Sequence, residues 1–513
     1  MEKSRTKNTL KNMGTGMIVQ IINKVMAFVV RTVFINILNV EYLGVNGLFT
    51  NILTILSFTE LGIGTAIIFN MYKPVAEDNV QKIKGLMKLY KKAYNIIGIT
   101  VFVLGLLVIP FMDLIIKDAP NIKENIVGIY ILFLINTSSS YFFTYKKSII
   151  SAYQQESIIN KFDSVFYFVK SIFEIIFLVI TKNYIVYLIV GIVMTILENM
   201  LISKKADKMF PYLKDADEEK LPKDEVKGIF KNVKSLVIYK FGSVIMNGTD
   251  NILISSIIDV KTVGLCSNYM LIINAVKNVL VTTLNGITAS IGNLNAGSEN
   301  SKKEEIYYQL TFINFWIYSF CAVAFMFLLN PFINIWLGDQ YVLDISVSIA
   351  LAVSFFIEGL RMPSYTYRIT MGLFEKGKIT PYIGAIANIV FSILFVKWFG
   401  VAGIFWGTCA AQLVSYVWID PYLIYKYKFK EKFSKFLVKY IKYFIAFIFI
   451  AVVTYILTKF TFDGKILTMI LKSLIVIIVP NLLNFILFRK SKEYVCLKQR
   501  IIDLLKEKMN NKK

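Results

Sequence analysis

The chain has no histidine among its 513 residues, which excludes Ser-His-Asp triads, HExxH zinc sites and imidazole proton relays. Cysteine is scarce too. Cys266, Cys321, Cys409 and Cys496 stand far apart without CxxC spacing, which argues against a disulfide framework or a zinc site. Charged residues make up only 18% of the chain, against about a quarter in a soluble domain. No Walker-type phosphate loop is present, so direct use of ATP is not indicated. The basic excess, a formal +23, would suit nucleic acid, a reading that depends on where the charge sits.

What replaces these is apolar: 56% hydrophobic residues, 41 Phe, 29 Tyr and a mean hydropathy of +0.60. A spanning helix needs about 20 mostly apolar residues, and about fourteen such segments can be read. Six lie at Met17–Leu38, Gly47–Met71, Ala93–Ile116, Ile126–Ser151, Ser157–Ile180 and Ile185–Ser203. Six more lie at Val233–Ile257, Val263–Ile291, Ile306–Asn330, Ser346–Met371, Pro381–Lys397 and Val401–Ile424, and a last pair at Phe436–Leu457 and Ile466–Phe488. The expected fold is therefore all-α and polytopic, an N-terminal six-helix lobe (1–203), a polar linker (204–232) and a C-terminal six-helix lobe (233–424). Spans thirteen and fourteen follow within 425–488, then a basic tail at 489–513. The first apolar run is of full spanning length behind the basic flank Lys3–Lys11, which suits an uncleaved anchor.

Loop charge orients the chain. With the N-terminus inside, about 42 of the 57 Lys/Arg fall in cytoplasmic segments and about 7 in outer loops. Both termini are thus expected in the cytoplasm, and the +23 becomes an orienting charge that gives nucleic acid no support. The outer loops Asn39–Asn46, Thr181–Tyr184, Asp259–Thr262 and Trp398–Gly400 are too short for a folded domain. In the tail, Ile501, Ile502, Leu504 and Leu505 among Lys and Arg suit a helix lying on an anionic leaflet, or a solvated end.

A short repeat marks the two six-span blocks. Val40-Glu41-Tyr42-Leu43-Gly44 follows the first span and Val260-Lys261-Thr262-Val263-Gly264 the seventh. An even number of spans per block makes this a parallel repeat, as in transporters that bind substrate between their repeats.

Ionisable groups inside spans are costly and should face a cavity or a partner. In the first span Gln20, Lys24 and Arg31 share a face with no acid among them. The seventh carries Lys240, Ser243, Asn247, Asp250 and Asn251; the tenth carries Ser354, Glu358, Arg361, Tyr365 and Arg368. The fifth carries Asp163, Tyr167, Lys170 and Glu174, while Glu60, Glu198 and Lys277 stand more alone. One reading is a wet, cationic cavity in which Lys24, Arg31, Lys240, Arg361 and Arg368 hold an anionic head group, arginine's planar fork suiting phosphate. The other is internal pairing, for which Lys170/Glu174 and Glu358/Arg361 have helical spacing. Lys277 has the reach to snorkel. Glu60 and Asp250 are the candidates for Na+ or H+ coupling, since a carboxylate in a low-dielectric cavity can titrate near neutral pH. No other cofactor is expected.

Tyr42-Leu43-Gly44-Val45-Asn46-Gly47-Leu48-Phe49, followed by Glu60-Leu61-Gly62-Ile63-Gly64, resembles the opening of bacterial polysaccharide and oligosaccharide flippases. These belong to the multidrug/oligosaccharidyl-lipid/polysaccharide exporter superfamily. Thr249-Asp250-Asn251-Ile252-Leu253-Ile254-Ser255 resembles its second-half signature, as do Pro331-Phe332-Ile333-Asn334-Ile335-Trp336-Leu337-Gly338 and Asn388-Ile389-Val390-Phe391-Ser392. Gly400-Val401-Ala402-Gly403-Ile404-Phe405-Trp406-Gly407-Thr408 is similar to the family's next turn. The resemblance implies a MATE-like V of two six-helix lobes plus two C-terminal helices, in the bacterial cytoplasmic membrane. It further implies a non-enzymatic exporter of undecaprenyl-pyrophosphate-linked glycan repeat units for cell-surface polysaccharide biosynthesis. Working partners would then be the bilayer and polymerase or assembly proteins. The rivals are a multidrug/cation antiporter of the same fold and a membrane glycosyltransferase or polymerase, for which Asp339 and Asp344 are the available outer acids. A scaffold without transport is the blandest alternative.

The charge distribution makes a direct prediction about sidedness. In a variant lacking the four cysteines, Ala119→Cys should react with an impermeant maleimide on intact cells and Ala216→Cys only after lysis. The reverse pattern would invert the topology.

Overall fold

The structure is a computed structural model and describes residues 22–60, 63–214, 221–297, 299–373, 375–459 and 464–510; some side chains within these helices, that of Lys240 included, lie outside the description. The protein is an all-helical, multi-pass membrane protein. Among the described residues, eleven helices are long and apolar enough to span a bilayer, and they fall on eleven of the fourteen expected segments in order. The first, second and seventh are the others. The first is described only from residue 22, the second is interrupted at Ser57–Glu60, and in the seventh many side chains lie outside the description.

Two compact units emerge, Met1–Gly264 and Leu265–Lys513. The first contains α1 (22–37), α2 (Val40–Leu56), α3 (Ile63–Ala76), α4 (Val80–Leu106), the short α5 (Met112–Ile115), α6 (Ile126–Thr144) and α7 (Lys147–Ala152). It continues with α8 (Glu156–Thr181), α9 (Tyr184–Met209) and α10 (Lys223–Ile257). The sequence expects a division at the 204–232 linker; α10, the expected seventh span, packs on α2 and α3 and falls in the first unit. Its Ser255 hydroxyl donates to the Ile115 carbonyl at 2.8 Å, tying it to α5 as well.

Asparagine sets the helix starts. Asn39 accepts from the backbone N–H groups of Glu41 and Tyr42, Asn125 from Gly128, and Asn183 from Ile185 and Val186, each quenching orphan donors of a first turn. The expected outer loop Asn39–Asn46 is therefore mostly the first two turns of α2. Likewise Asp259 caps α11 (Val260–Gly297), accepting from Thr262 N–H at 2.6 Å. The expected second span breaks after Leu56 into a 3-10 turn, Ser57–Glu60, before α3 resumes.

The two copies of the repeat touch. A side chain at Gly44 would collide with the Val260 carbonyl oxygen, and one at Gly264 with that of Val40. Two helix starts thus meet backbone to backbone at equivalent positions, a contact that glycine alone permits.

The second unit holds the rest of α11 with α12 (Asn300–Trp336), α13 (Ile345–Thr370), α14 (Thr380–Phe399), α15 (Val401–Val414) and α16 (Tyr416–Ile424). It ends with α17 (Ser434–Leu457), α18 (Lys465–Phe488) and α19 (Lys492–Asn510). The expected twelfth span is broken at Ser415, between α15 and α16. The last two spans lean on α12: the Trp316 indole N–H donates to Asn481 Oδ1 at 2.9 Å, and Tyr443 stacks on Phe315 at 4.6 Å. At about 1.5 Å per residue, the 37 residues of α12 run about 55 Å, well past a hydrocarbon core of about 30 Å, so its polar first turns stand clear of the lipid.

Gly44→Val should lower the thermal midpoint in detergent, overpacking against a fixed backbone costing about 1–3 kcal/mol. Gly248→Ala is the milder comparison, because its added carbon meets Ile55 Cγ1 at 2.9 Å, a side chain that can turn away. Equal midpoints for Gly44→Val and the parent would contradict the backbone contact.

Candidate functional site

In the first unit the cations of α1 face inward. Ile22, Val25, Val29 and Asn36 are its exposed residues, and at 100° per residue Lys24 and Arg31 lie on the opposite side, half-buried. Phe34 docks that side on α9, with ring centroids 5.9 Å from Tyr184 and 5.2 Å from Tyr187. Arg31 lies in the field of Tyr167 on α8 and Tyr187 on α9, and both tyrosines also sense Glu174. Two stripes read separately in the sequence, on the first and fifth spans, are thus brought together. Gln20 lies outside the described residues.

Lys170 is shared between Glu174 Oε1 at 3.8 Å and Thr195 Oγ1 at 3.2 Å. The pair borders a cavity of about 200 Å³ lined also by Asn46, Asn136 and Tyr187, and in its wall Asn136 Oδ1 is buried with no hydrogen bond. Asp163, at the other end of the α8 stripe, is engaged elsewhere. Lys147 Nζ bridges it at 2.8 Å and Glu198 at 3.3 Å, so Glu198 is partnered rather than alone. Glu60, in the turn after α2, accepts from the Tyr94 hydroxyl of α4 at 2.8 Å. Asp250 is half-buried on α10.

In the second unit the α13 stripe is resolved into pairs across helices. Arg361 Nε lies 3.7 Å and Arg368 Nε 3.3 Å from the two oxygens of Asp420, which is fully buried on α16. These are ion pairs without aligned hydrogen bonds at the carboxylate. Arg368, 1% exposed, also donates from Nη1 to the Gly377 carbonyl at 3.1 Å. Arg361 stays more open and lays its guanidinium over the Tyr416 ring, 3.7 Å from the centroid. Of the two arginines, only Arg361 keeps an accessible edge for a ligand in this conformation.

Helical spacing offers Glu358 to Arg361. The structure gives Glu358 Oε2 to Lys277 Nζ of α11 instead, at 2.7 Å, so Lys277 is an ion-pair partner rather than a snorkelling side chain. The reason is that Asp420 already holds Arg361, at a depth where the carboxylate has no water to fall back on. Asp420 escapes the stripe reasoning although a signal exists: it is the sole acid of its expected span, Val401–Ile424. Among the described residues, no three Cys, Asp or Glu side chains cluster as metal ligands.

In the second unit two arginines share one carboxylate, and in the first Lys170 pairs with Glu174. For Lys24 no hydrogen bond or ion pair is made among the described residues.

No protein-family model matches the sequence, and no curated protein matches it. Solved structures do. A structure titled lipid II flippase MurJ in an inward closed conformation aligns over 93% of this chain and 99% of its own, at 17% identity and a TM-score of 0.63. An inward-facing multidrug resistance MATE family transporter of the MOP superfamily covers 78% of this chain and 97% of its own, at 16% identity and a TM-score of 0.59. The MATE multidrug transporter DinF-BH covers 81% and 94%, at 15% identity and a TM-score of 0.57. The chain therefore has the MurJ/MATE fold.

Asp420→Ala should strip Arg368 of its counter-charge and cost about 3–5 kcal/mol, read as loss of the monodisperse folded peak in size-exclusion chromatography. Asp420→Ala with Arg368→Leu should recover a substantial part of it. A single variant as stable as the parent would show that the pair is not needed.

Proposed function

We propose that this protein is a flippase that carries polyprenyl-pyrophosphate-linked glycan repeat units across the cytoplasmic membrane by alternating access. The observation that carries the reading is the inward face of α1, where Lys24 and Arg31 stand without an acid on their own helix. A cation inside a span is expensive unless something anionic visits it, and a diphosphate supplies that charge. Arg361, with its open edge, and Lys240 would complete the cationic set; Arg368 would position Asp420 rather than touch substrate. The glycan would occupy polar space and the polyprenyl tail would stay in lipid. The likeness to the lipid flippase supports this, because it runs nearly the length of the chain whereas the multidrug transporters match less of it.

In this scheme both termini are cytoplasmic, polymerase and assembly proteins take over the product outside, and no enzymatic step occurs on the chain. Glu60 and Asp250 are the proposed acids for Na+ or H+ coupling. Glu60 suits the role because it sits at the break between α2 and α3 and accepts from the Tyr94 hydroxyl of α4.

A multidrug/cation antiporter is the second reading, favoured by the likeness to multidrug transporters of this fold. Deletion separates the two. A flippase should leave completed lipid-linked repeat units accumulated in the cell, and an antiporter should leave glycan export intact and change drug sensitivity. Lys24→Ala and Arg31→Ala should each reduce surface polymer roughly tenfold at unchanged protein level, as expected for loss of a charge-assisted contact. Full export by both variants would sink the cationic-site reading.

A further inference from the structure

The second unit contains a cavity that the transport reading does not use. It has a volume of about 970 Å³ and lies between the first turns of α12, the first turns of α17 and one face of α19. Its walls hold six cations, Lys302, Lys435, Lys439, Lys442, Lys492 and Arg500, against three acids. All three acids are engaged: Glu493 by Lys439, Glu305 by the Gln309 amide at 3.1 Å and Glu304 by the Tyr425 hydroxyl at 3.4 Å. Lys435 pairs with Glu431. Among the described residues Lys302, Lys442, Lys492 and Arg500 have no such partner. Neutral donors leave the Glu304 and Glu305 charges in place, so with Lys435 and Lys439 paired the four remaining cations face two carboxylates and the cavity is an anion site with a net positive charge.

A second feature specifies more than charge. Gln309, 3% exposed, lines the cavity, and its Oε1 has no hydrogen-bond donor. Its amide orientation is fixed, because Nε2 must donate to the Glu305 carboxylate. A buried carbonyl oxygen left so calls for a hydroxyl or amine from a ligand.

The third feature is apolar. A groove of about 330 Å³ lies on the other side of α19, walled by Phe312, Ile313, Trp316, Ile317 and Leu497. On α19 the residues Lys492, Cys496 and Arg500 turn to the basic cavity and Tyr494, Lys498 and Ile502 to the groove, each set at four-residue spacing. Trp316 stacks on Tyr494 with centroids 6.0 Å apart and pins the helix there. A polar pocket beside an apolar slot, under an amphipathic helix next to spanning helices, matches a molecule with an anionic head and a hydrocarbon tail.

We propose that this site binds an anionic phospholipid whose head group carries a free hydroxyl, the phosphate held by Lys302, Lys442, Lys492 and Arg500. The hydroxyl donates to Gln309 Oε1, and one acyl chain lies along Phe312, Trp316 and Leu497. α19 is thereby fastened to the bilayer surface by a lipid it partly encloses.

The test uses the purified full chain in neutral detergent, titrated with phosphatidylglycerol, phosphatidic acid, phosphatidylcholine, undecaprenyl phosphate or soluble glycerophosphate, with the thermal midpoint as readout. Phosphatidylglycerol should raise the midpoint most and phosphatidylcholine least. The triple variant Lys302→Gln/Lys442→Gln/Arg500→Gln, altered only at exposed residues, should weaken the apparent affinity roughly a hundredfold, as expected for three interfacial cations. Gln309→Leu should keep binding but lose the preference for phosphatidylglycerol over phosphatidic acid. Wild-type affinity in the triple variant overturns the proposal. So does an equal response to soluble glycerophosphate, which would make this a site for a free anion. A stronger response to undecaprenyl phosphate would assign the cavity to a transport substrate and also overturn it.

Discussion

A charge placed among hydrocarbon must find an opposite charge, and that constraint organises most of what is specific in this chain. Apolar residues alone would give a bundle with no preferred register, since lipid and leucine are equally greasy. The pairs supply the register. Lys277 with Glu358 ties α11 to α13, Arg361 and Arg368 with Asp420 tie α13 to α16, and Lys170 binds both Glu174 on its own helix and Thr195 on α9. Each is a fixed point between helices that otherwise meet largely through methyl and ring surfaces.

Much of the fold is legible because length and hydropathy measure the same property that a bilayer selects. Eleven spans fall where composition places them. The misread parts share one cause: backbone behaviour inside or beside an apolar run is invisible to hydropathy. Glu41 and Asn46 make the start of α2 look like a loop, although Asn39 is well placed as a cap. The breaks at Ser57–Glu60 and at Ser415 interrupt sequences that are apolar on both sides.

The candidate site is legible by residue type and only half legible by partnership. Helical spacing sees neighbours on one helix, so it offers Glu358 to Arg361 and leaves Lys277 alone. The structure exchanges both assignments because partners on adjacent helices are as near as those one turn away. For Arg31 no acid shares its face of α1, and α8 and α9 supply ring-lined surroundings that spacing on one helix does not report. The distinction between Arg361 and Arg368 needs coordinates, as it rests on 19% against 1% side-chain exposure over one shared carboxylate.

The contact between Gly44 and Gly264 has a symmetry worth following. Each glycine meets the carbonyl of the first helical residue of the other copy, so position i touches j and j touches i. That reciprocity is the signature of an isologous interface, the kind that two identical chains form about a two-fold axis. Here one polypeptide reproduces it with two stretches of itself. A substitution at either glycine therefore has no equivalent copy to fall back on, and a change tolerated in one stretch must be answered in the other. Had the same surface belonged to a chain half as long, it would have served as the seam of a homodimer.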